Sequence, residues 1–218
     1  GNTNMLSDYA AIKNGSYGKL MKAYYAKQDA EKLSGKGDTS QRLTLMKTSA
    51  DSLKKSADAL NDSSLWEKKK IKKKDEKTGE EIEVEDYDWD KITKAVKSFV
   101  EDYNDVVKEA GESNTKDVLR NASWMTGMTD KNSNMLAKIG ITIGKGNKLE
   151  LDEDALKQAD ISSLKTVFTG YNSFVSKISQ KATGISNAAN RASATYTNNG
   201  TYSKTDSSLT SSKIDKEV

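Results

Sequence analysis

Three segments of this 218-residue chain repeat apolar residues at heptad steps, and no proline interrupts them. Each helix alone would leave an apolar seam in water, so the stripes must pack against each other or against a second copy. The sequence therefore predicts a mainly α fold, an elongated antiparallel helical bundle or coiled coil with one or two small β-hairpins. The stripes are Leu43, Met46, Ala50, Leu53, Ala57 and Leu60; Ile92, Val96, Phe99, Tyr103, Val106 and Ala110; and Leu164, Val167, Tyr171, Phe174, Ile178, Ile185, Ala189, Ala192 and Tyr196.

The amino-acid composition excludes several classes of partner and of catalytic chemistry. Only 34% of residues are hydrophobic and 31% are charged, which suits slender helices better than a thick core. The net charge of +3 is too small to favour nucleic acid as a partner, and no stretch is apolar enough for membrane insertion. The chain has neither histidine nor cysteine, which removes the commonest general base, thiol nucleophiles and thiolate metal ligands. We expect no enzyme activity, no catalytic residues, no cofactor and no metal.

Shifts in composition divide the chain into five predicted parts. One helix is expected to begin at an Asp90 cap, another to run from Lys116 to Lys138, and the third stripe to form a long terminal helix with an alanine-rich end open to a second subunit. The chain opens Gly1-Asn2-Thr3, so we expect that a native N-terminus, with any targeting signal, preceded it. The parts are a partly ordered segment 1–16, N-terminal bundle helices 17–60, a charged β-hairpin insertion 61–89, C-terminal bundle helices 90–200 with a hairpin at 141–151, and a flexible tail 201–218.

The insertion carries two arms of opposite charge. A lysine-rich arm, Lys68–Lys74, and an acidic arm, Glu80–Asp86, flank a turn at Gly79. Folded at Gly79, the arms would face each other and pair. Binding of nucleic acid or an acidic polymer, with Trp66 as a stacking residue, is the less favoured interpretation, because the acidic arm would quench the lysine potential.

A second hairpin is predicted from Ile141 to Leu151. Apolar and polar residues alternate on both sides of Gly144-Lys145-Gly146-Asn147, which tolerates positive φ. Asp152 can then cap a new helix, with Glu153 and Asp154 in its first turn. A cation site at these carboxylates is disfavoured, since the alternating oxygen ligands of an EF-hand are missing.

Two motifs carry a family resemblance. F-V-x-x-Y-N spans Phe99 to Asn104, and G-I-T at Gly140–Thr142 precedes L-x-L-D-E at Leu149–Glu153. Together they resemble the C-terminal region of the flagellar filament-capping, or hook-associated, family, over about Trp89 to Tyr202.

The resemblance implies a leg of N- and C-terminal helices in antiparallel contact. In that family a β-rich head is inserted in the leg, and the proteins oligomerise on the filament tip and promote flagellin addition. Here the segment between Leu60 and Asp90 has room only for the charged hairpin. The resemblance thus implies the leg without the head.

We therefore predict a non-enzymatic structural or assembly protein, acting by helix-mediated association in or on the flagellar filament or cell surface, outside the cell. Its partners would be proteins, either copies of itself in a homo-oligomer or flagellin-like subunits. A cytoplasmic helical adaptor or export chaperone that binds a partner helix is the alternative, and an enzyme acting on cell-wall polymer through carboxylates near the second hairpin is a third. The predicted packing and assembly residues are Phe99, Val100, Tyr103, Ile141, Leu149, Leu151, Phe168, Tyr171, Phe174, Ile178, Ile185 and Ala189.

Overall fold

The structure, a computed structural model, describes the backbone of residues 37–209 and the side chains of residues 37–195. The predicted segment 1–16, the part of the predicted N-terminal helices that precedes residue 37, and the tail beyond Leu209 lie outside the described residues. The expectations for those segments stay predictions.

Helices dominate the described part of the chain, and the mainly α fold with two small antiparallel hairpins is confirmed. Two short 3-10 turns also occur, at Ser63–Trp66 after the first long helix and at Lys145–Asn147 between the strands of the second hairpin. The elements are α1 (Ser40–Leu60), β1 (Lys69–Lys74), β2 (Glu81–Asp86), α2 (Trp89–Gly111), α3 (Lys116–Lys131), α4 (Ser133–Ala137), β3 (Ile141–Ile143), β4 (Leu149–Leu151), α5 (Glu153–Gln158), α6 (Ile161–Phe168) and α7 (Phe174–Leu209).

The four long helices α1, α2, α3 and α7 form the bundle. Helix α1 packs against α2 and α7, and α7 also packs against α3. Helices α1 and α7 are antiparallel, because Asp51 contacts Ser186 while Asp58, one heptad later, contacts Ser179. The first two heptad stripes are buried along their full length, as expected of residues that face neighbouring helices.

Two helix beginnings illustrate how local side chains set the element bounds. The Thr39 hydroxyl accepts a hydrogen bond from Arg42 N (3.2 Å) and caps α1. The cap of α2 is Asp88, which accepts from Lys91 N (3.1 Å), and the prediction of Asp90 in this role is wrong. Asp90 lies instead in the first helical turn, where its charge still suits the positive end of the helix dipole.

The predicted helix from Lys116 to Lys138 is interrupted. Helix α3 ends at Lys131, and the Asn132 side chain donates to the Met128 carbonyl oxygen (2.7 Å). A carboxamide that bonds the preceding turn competes with the regular helical bonds, so the chain restarts as the short helix α4.

The third apolar stripe is divided between two helices, which corrects the prediction of one helix. Helix α6 ends at Phe168, and Gly170 follows with a φ of +100° that other residues rarely adopt. Asn61, at the end of α1, accepts from Gly170 N (2.8 Å) and donates to its carbonyl oxygen (3.3 Å). Tyr171 falls in this connection and is 82% exposed, so its predicted packing is wrong for the interior of this chain.

The two hairpins keep the pairing that their sequences favour. In the first, lysines face acids across the strands, with Lys70 opposite Glu85, Lys72 opposite Glu83 and Lys74 opposite Glu81. In the second, Ile141 pairs with Leu151 and Ile143 with Leu149. Gly146 and Asn147 both have positive φ in the second turn, which explains the glycine and asparagine there.

Candidate assembly site

The F-V-x-x-Y-N motif of α2 lies at the centre of an aromatic cluster. The Phe99 ring makes edge contacts with Phe168 and Phe174, with centroids 6.5 and 6.4 Å apart. Phe168 in turn stacks on Trp66 at 5.6 Å. These contacts join α2, α6, α7 and the 3-10 turn after α1 around one fully buried ring.

Tyr103 is the polar member of this motif's buried face. Its hydroxyl donates to Thr129 Oγ1 of α3 (2.8 Å), and Thr129 donates onward to the Met125 carbonyl oxygen (2.9 Å). Burial raises the pKa of the Tyr103 phenol well above its usual value. The tyrosine therefore stays neutral and acts as a hydrogen-bonded core residue.

Asn104 connects the motif to the second hairpin. Its Nδ2 donates to the Leu149 carbonyl oxygen (2.9 Å), and its Oδ1 accepts from Leu149 N (2.7 Å). The carboxamide thus satisfies both backbone groups of one β4 residue, in the manner of a neighbouring strand. It fixes the position of the hairpin on α2.

The hairpin leads directly into a capped helix. Asp152 N donates to the Gly140 carbonyl oxygen (2.8 Å), while its side chain accepts from Asp154 N and Ala155 N (3.1 and 3.0 Å). The acidic turn is therefore used for capping. Across residues 37–195, no group of three or more acidic side chains is arranged to hold a metal ion.

Ten of the twelve predicted packing residues are buried, Leu151 is half-buried and Tyr171 is exposed. The ten buried residues form one continuous core with the heptad stripes of α1 and α2, and Leu151 packs against this core. Ala189 is only 1% exposed, so the expectation that the alanine-rich part of α7 is open to a second subunit is wrong at this residue. A role of these residues in assembly stays a prediction.

Asp38 is a structural residue that the sequence did not single out. Its carboxylate accepts from the Ser113 and Thr115 hydroxyls (2.7 and 2.6 Å) and from the backbone N of Asn114 and Thr115 (2.7 and 3.1 Å). It anchors the chain before α1 to the α2–α3 loop at the start of α3. The sequence shows only an acidic residue just before a helix. It gives no sign of these contacts, because their partners lie 75 residues or more along the chain.

A ladder of aspartates and serines links α1 to α7. Ser186 donates to Asp51 and Ser179 to Asp58, both at 2.6 Å, while Lys47 and Lys54 pair with the same two carboxylates. Partial burial acts to raise both aspartate pKa values, but the lysine and serine hydrogen bonds outweigh it, so both pKa values lie below the ordinary value. The seven-residue spacing could have indicated this ladder.

Trp66 and Trp124 lie in opposite environments, one buried and one exposed. Trp66 is buried and donates through Nε1 to the Leu60 carbonyl oxygen (2.7 Å), so it is unavailable for stacking on nucleic acid. Trp124 on α3 is 64% exposed, with Lys181 of α7 lying 4.9 Å from its ring centroid. An exposed indole beside a cation marks a candidate surface for protein contact.

Comparison with known proteins supports the resemblance seen in the motifs. The model of a family described as flagellar hook-associated protein 2 C-terminus matches residues 113–217. No curated protein and no solved structure matched the chain. No described helix combines the length and apolarity needed to cross a membrane.

The match covers α3 through α7 together with the second hairpin, which the Asn104 contact fixes to α2. This family is one of structural flagellar proteins and not a family of enzymes. Residues 113–217 are therefore similar to the C-terminal region of the flagellar hook-associated protein 2 family, a family with a structural role in the flagellum.

Proposed function

We propose that this chain is a non-enzymatic structural protein that acts outside the cell, in or on the flagellar filament, and binds other flagellar subunits through the outer surface of its helical bundle. The family match over residues 113–217 is the observation that carries this proposal. It is supported by the use of the motif residues for packing, since Phe99, Tyr103 and Asn104 hold elements of the chain together.

The surface proposed for binding surrounds Trp124. Arg120 lies one helical turn before it on α3 and is exposed, and Lys181 lies beside the ring on α7. Exposed tryptophan and arginine are the residues most often found at the energetic centre of protein interfaces. The corresponding partner is a flagellar subunit with an apolar pocket bordered by carboxylates.

Cosedimentation with flagellar filaments from the source organism tests this role. Replacing Trp124 by alanine should weaken binding on the order of tenfold, as expected for a central interface tryptophan. Leu45→Ala is the matched control, because Leu45 is a comparably exposed apolar residue (56%) on α1 and lies outside the proposed surface. Equal binding by both variants would contradict the Trp124 surface.

Cell fractionation separates this proposal from the alternative. A structural flagellar protein should be recovered with sheared filaments or in the extracellular fraction. A protein found only in the cytosol would contradict the proposal and support a helical adaptor or export chaperone.

A further inference from the structure

The hairpin of β1 and β2, called here the charged ribbon (Lys69–Asp86), pairs with no other strand in the part of the chain that the structure describes. Both long edges of this two-stranded sheet are therefore open there. An open edge presents backbone N–H and C=O groups that can pair with a strand of another chain.

The ladder pattern shows which residues present those groups. Asp75 N donates to the Glu80 carbonyl oxygen (2.8 Å), so Asp75 and Glu80 are a hydrogen-bonded pair whose backbone groups point into the hairpin. Hydrogen-bonded and open positions alternate along an antiparallel strand. The outward backbone groups of β1 consequently belong to Lys70, Lys72 and Lys74, and those of β2 belong to Glu81, Glu83 and Glu85.

The side chains of the same six residues lie on one face of the ribbon, because alternate residues share a face. All of them are exposed. One open edge is thus positively charged and the other is negatively charged. The opposite face carries the apolar residues Ile71, Ile82 and Val84.

We propose that ribbons of neighbouring copies of this chain pair edge to edge, with the lysine edge of β1 in one copy beside the glutamate edge of β2 in the next. The strands then alternate in direction as one continuous antiparallel sheet, and all copies point the same way. Contacts of this head-to-tail kind build rings or helical arrays. This contact would be one of the contacts between subunits in the assembly role proposed above, and it depends on that role.

Charge complementarity distinguishes this contact from simple protection of the edges. Lysine on an edge strand commonly prevents edge-to-edge association. Protection by charge works when the edges that meet have the same sign, whereas here a lysine edge meets a glutamate edge. Each lysine would gain a glutamate on its second side, and cross-strand pairs of opposite charge are favourable.

Cysteine cross-linking tests the contact in the intact chain, which has no cysteine of its own. Lys72→Cys and Glu83→Cys are made in separate chains, because these positions face each other inside one hairpin. Under mild oxidation, the mixture should give at least about five times more disulfide-linked dimer than either variant alone, since only unlike edges attract. Thr142→Cys mixed with Glu150→Cys, the corresponding exposed central pair of the second hairpin, is the control and should show no excess.

A second test exchanges the charges of the two strands, which should keep the fold and change which chains associate with each other. The swapped chain carries glutamate at Lys70, Lys72 and Lys74 and lysine at Glu81, Glu83 and Glu85, so every internal pair and the net charge are preserved. It should associate with itself but not with the unmodified chain, because both mixed contacts bring like charges together. Sedimentation velocity with one partner labelled measures the mixed complexes. Mixed complexes as abundant as the pure ones, or no excess cross-linking of Lys72→Cys with Glu83→Cys, would overturn the inference.

The outcomes separate this inference from the proposed function. If the swapped and unmodified chains mix freely while filament binding still depends on Trp124, only the ribbon contact is wrong. If ribbon specificity is found but Trp124→Ala binds filaments normally, the ribbon contact stands and the proposed helical surface is wrong.

Discussion

Asn104 and Leu149, 45 residues apart, exchange two hydrogen bonds in opposite directions, of 2.9 and 2.7 Å. This contact brings the two sequence motifs together, because Asn104 ends F-V-x-x-Y-N and Leu149 begins L-x-L-D-E. The motifs are therefore two halves of one packing unit that holds the second hairpin on α2.

Replacing Asn104 by alanine should lower the free energy of unfolding by about 2 kcal/mol, because the backbone N–H and C=O of a buried β4 residue both lose their partner. Urea denaturation followed by circular dichroism measures the change. Asn134→Ala is the control, since Asn134 is exposed on α4, and it should cost less than about 0.5 kcal/mol. Equal losses in the two variants would show that the Asn104 contact adds little.

Gly140, which opens G-I-T, should tolerate alanine far less well than Gly146. Both residues have positive φ, so alanine costs about 1 kcal/mol at either position. A β-carbon on Gly140 would also lie 2.7 Å from the Asp152 carbonyl oxygen and 3.0 Å from Leu156 N, whereas nothing lies within 4 Å at Gly146. We expect a loss of about 3 kcal/mol or more for Gly140→Ala, against about 1 kcal/mol for Gly146→Ala. Thermal denaturation measures both losses, and an equal loss of stability in the two variants would contradict the prediction.

Features encoded locally were predictable from the sequence, and features set by distant partners were not. The heptad stripes of α1 and α2 and the turn at Gly146 and Asn147 depend on neighbouring residues, and the prediction of helices and hairpins is confirmed. The break after Phe168 depends on Asn61, which lies 109 residues before Gly170. An apolar stripe continues through such a break, so Tyr171 looked like a packing residue although the turn exposes it.

The same reasoning applies to the candidate site. The motif residues of α2 were identified, because their spacing is a helical stripe. The position of Asn104 against β4 and of Asp38 against the α2–α3 loop has no local signal, since each is a side chain bonding the backbone of a distant segment. Trp124 was missed for a related reason: its exposure depends on where α7 lies.

Asp38→Ala should destabilise the bundle by about 2 kcal/mol, because the carboxylate satisfies two backbone N–H groups at the start of α3. Asp90→Ala removes an exposed carboxylate from the first turn of α2 and serves as the control, with an expected cost of about 0.5 kcal/mol. Chemical denaturation gives both values. Hydrogen exchange at Asn114 and Thr115 should be faster in Asp38→Ala alone, and unchanged exchange there would contradict the anchoring role.

Acid should weaken the contact between α1 and α7 through Asp51 and Asp58. Although burial opposes the effect, the lysine and serine hydrogen bonds lower both pKa values in the folded chain. A lowered carboxyl pKa contributes stability above the unfolded value of about 3.9, and this contribution is lost as the pH falls through the folded pKa.

The double variant Asp51→Asn/Asp58→Asn tests this expectation by urea denaturation at pH 7 and pH 3. It should lose about 1 kcal/mol at pH 7, a value kept small because both side chains are about half exposed to solvent. At pH 3 its free energy of unfolding should lie closer to that of the unmodified chain, since protonation has already removed part of the carboxylate contribution from the unmodified chain. Asp90→Asn, which lies outside the α1–α7 contact, controls for the loss of a negative charge. A difference between the double variant and the unmodified chain that is the same at both pH values would mean that ionisation of Asp51 and Asp58 does not stabilise this helix pair.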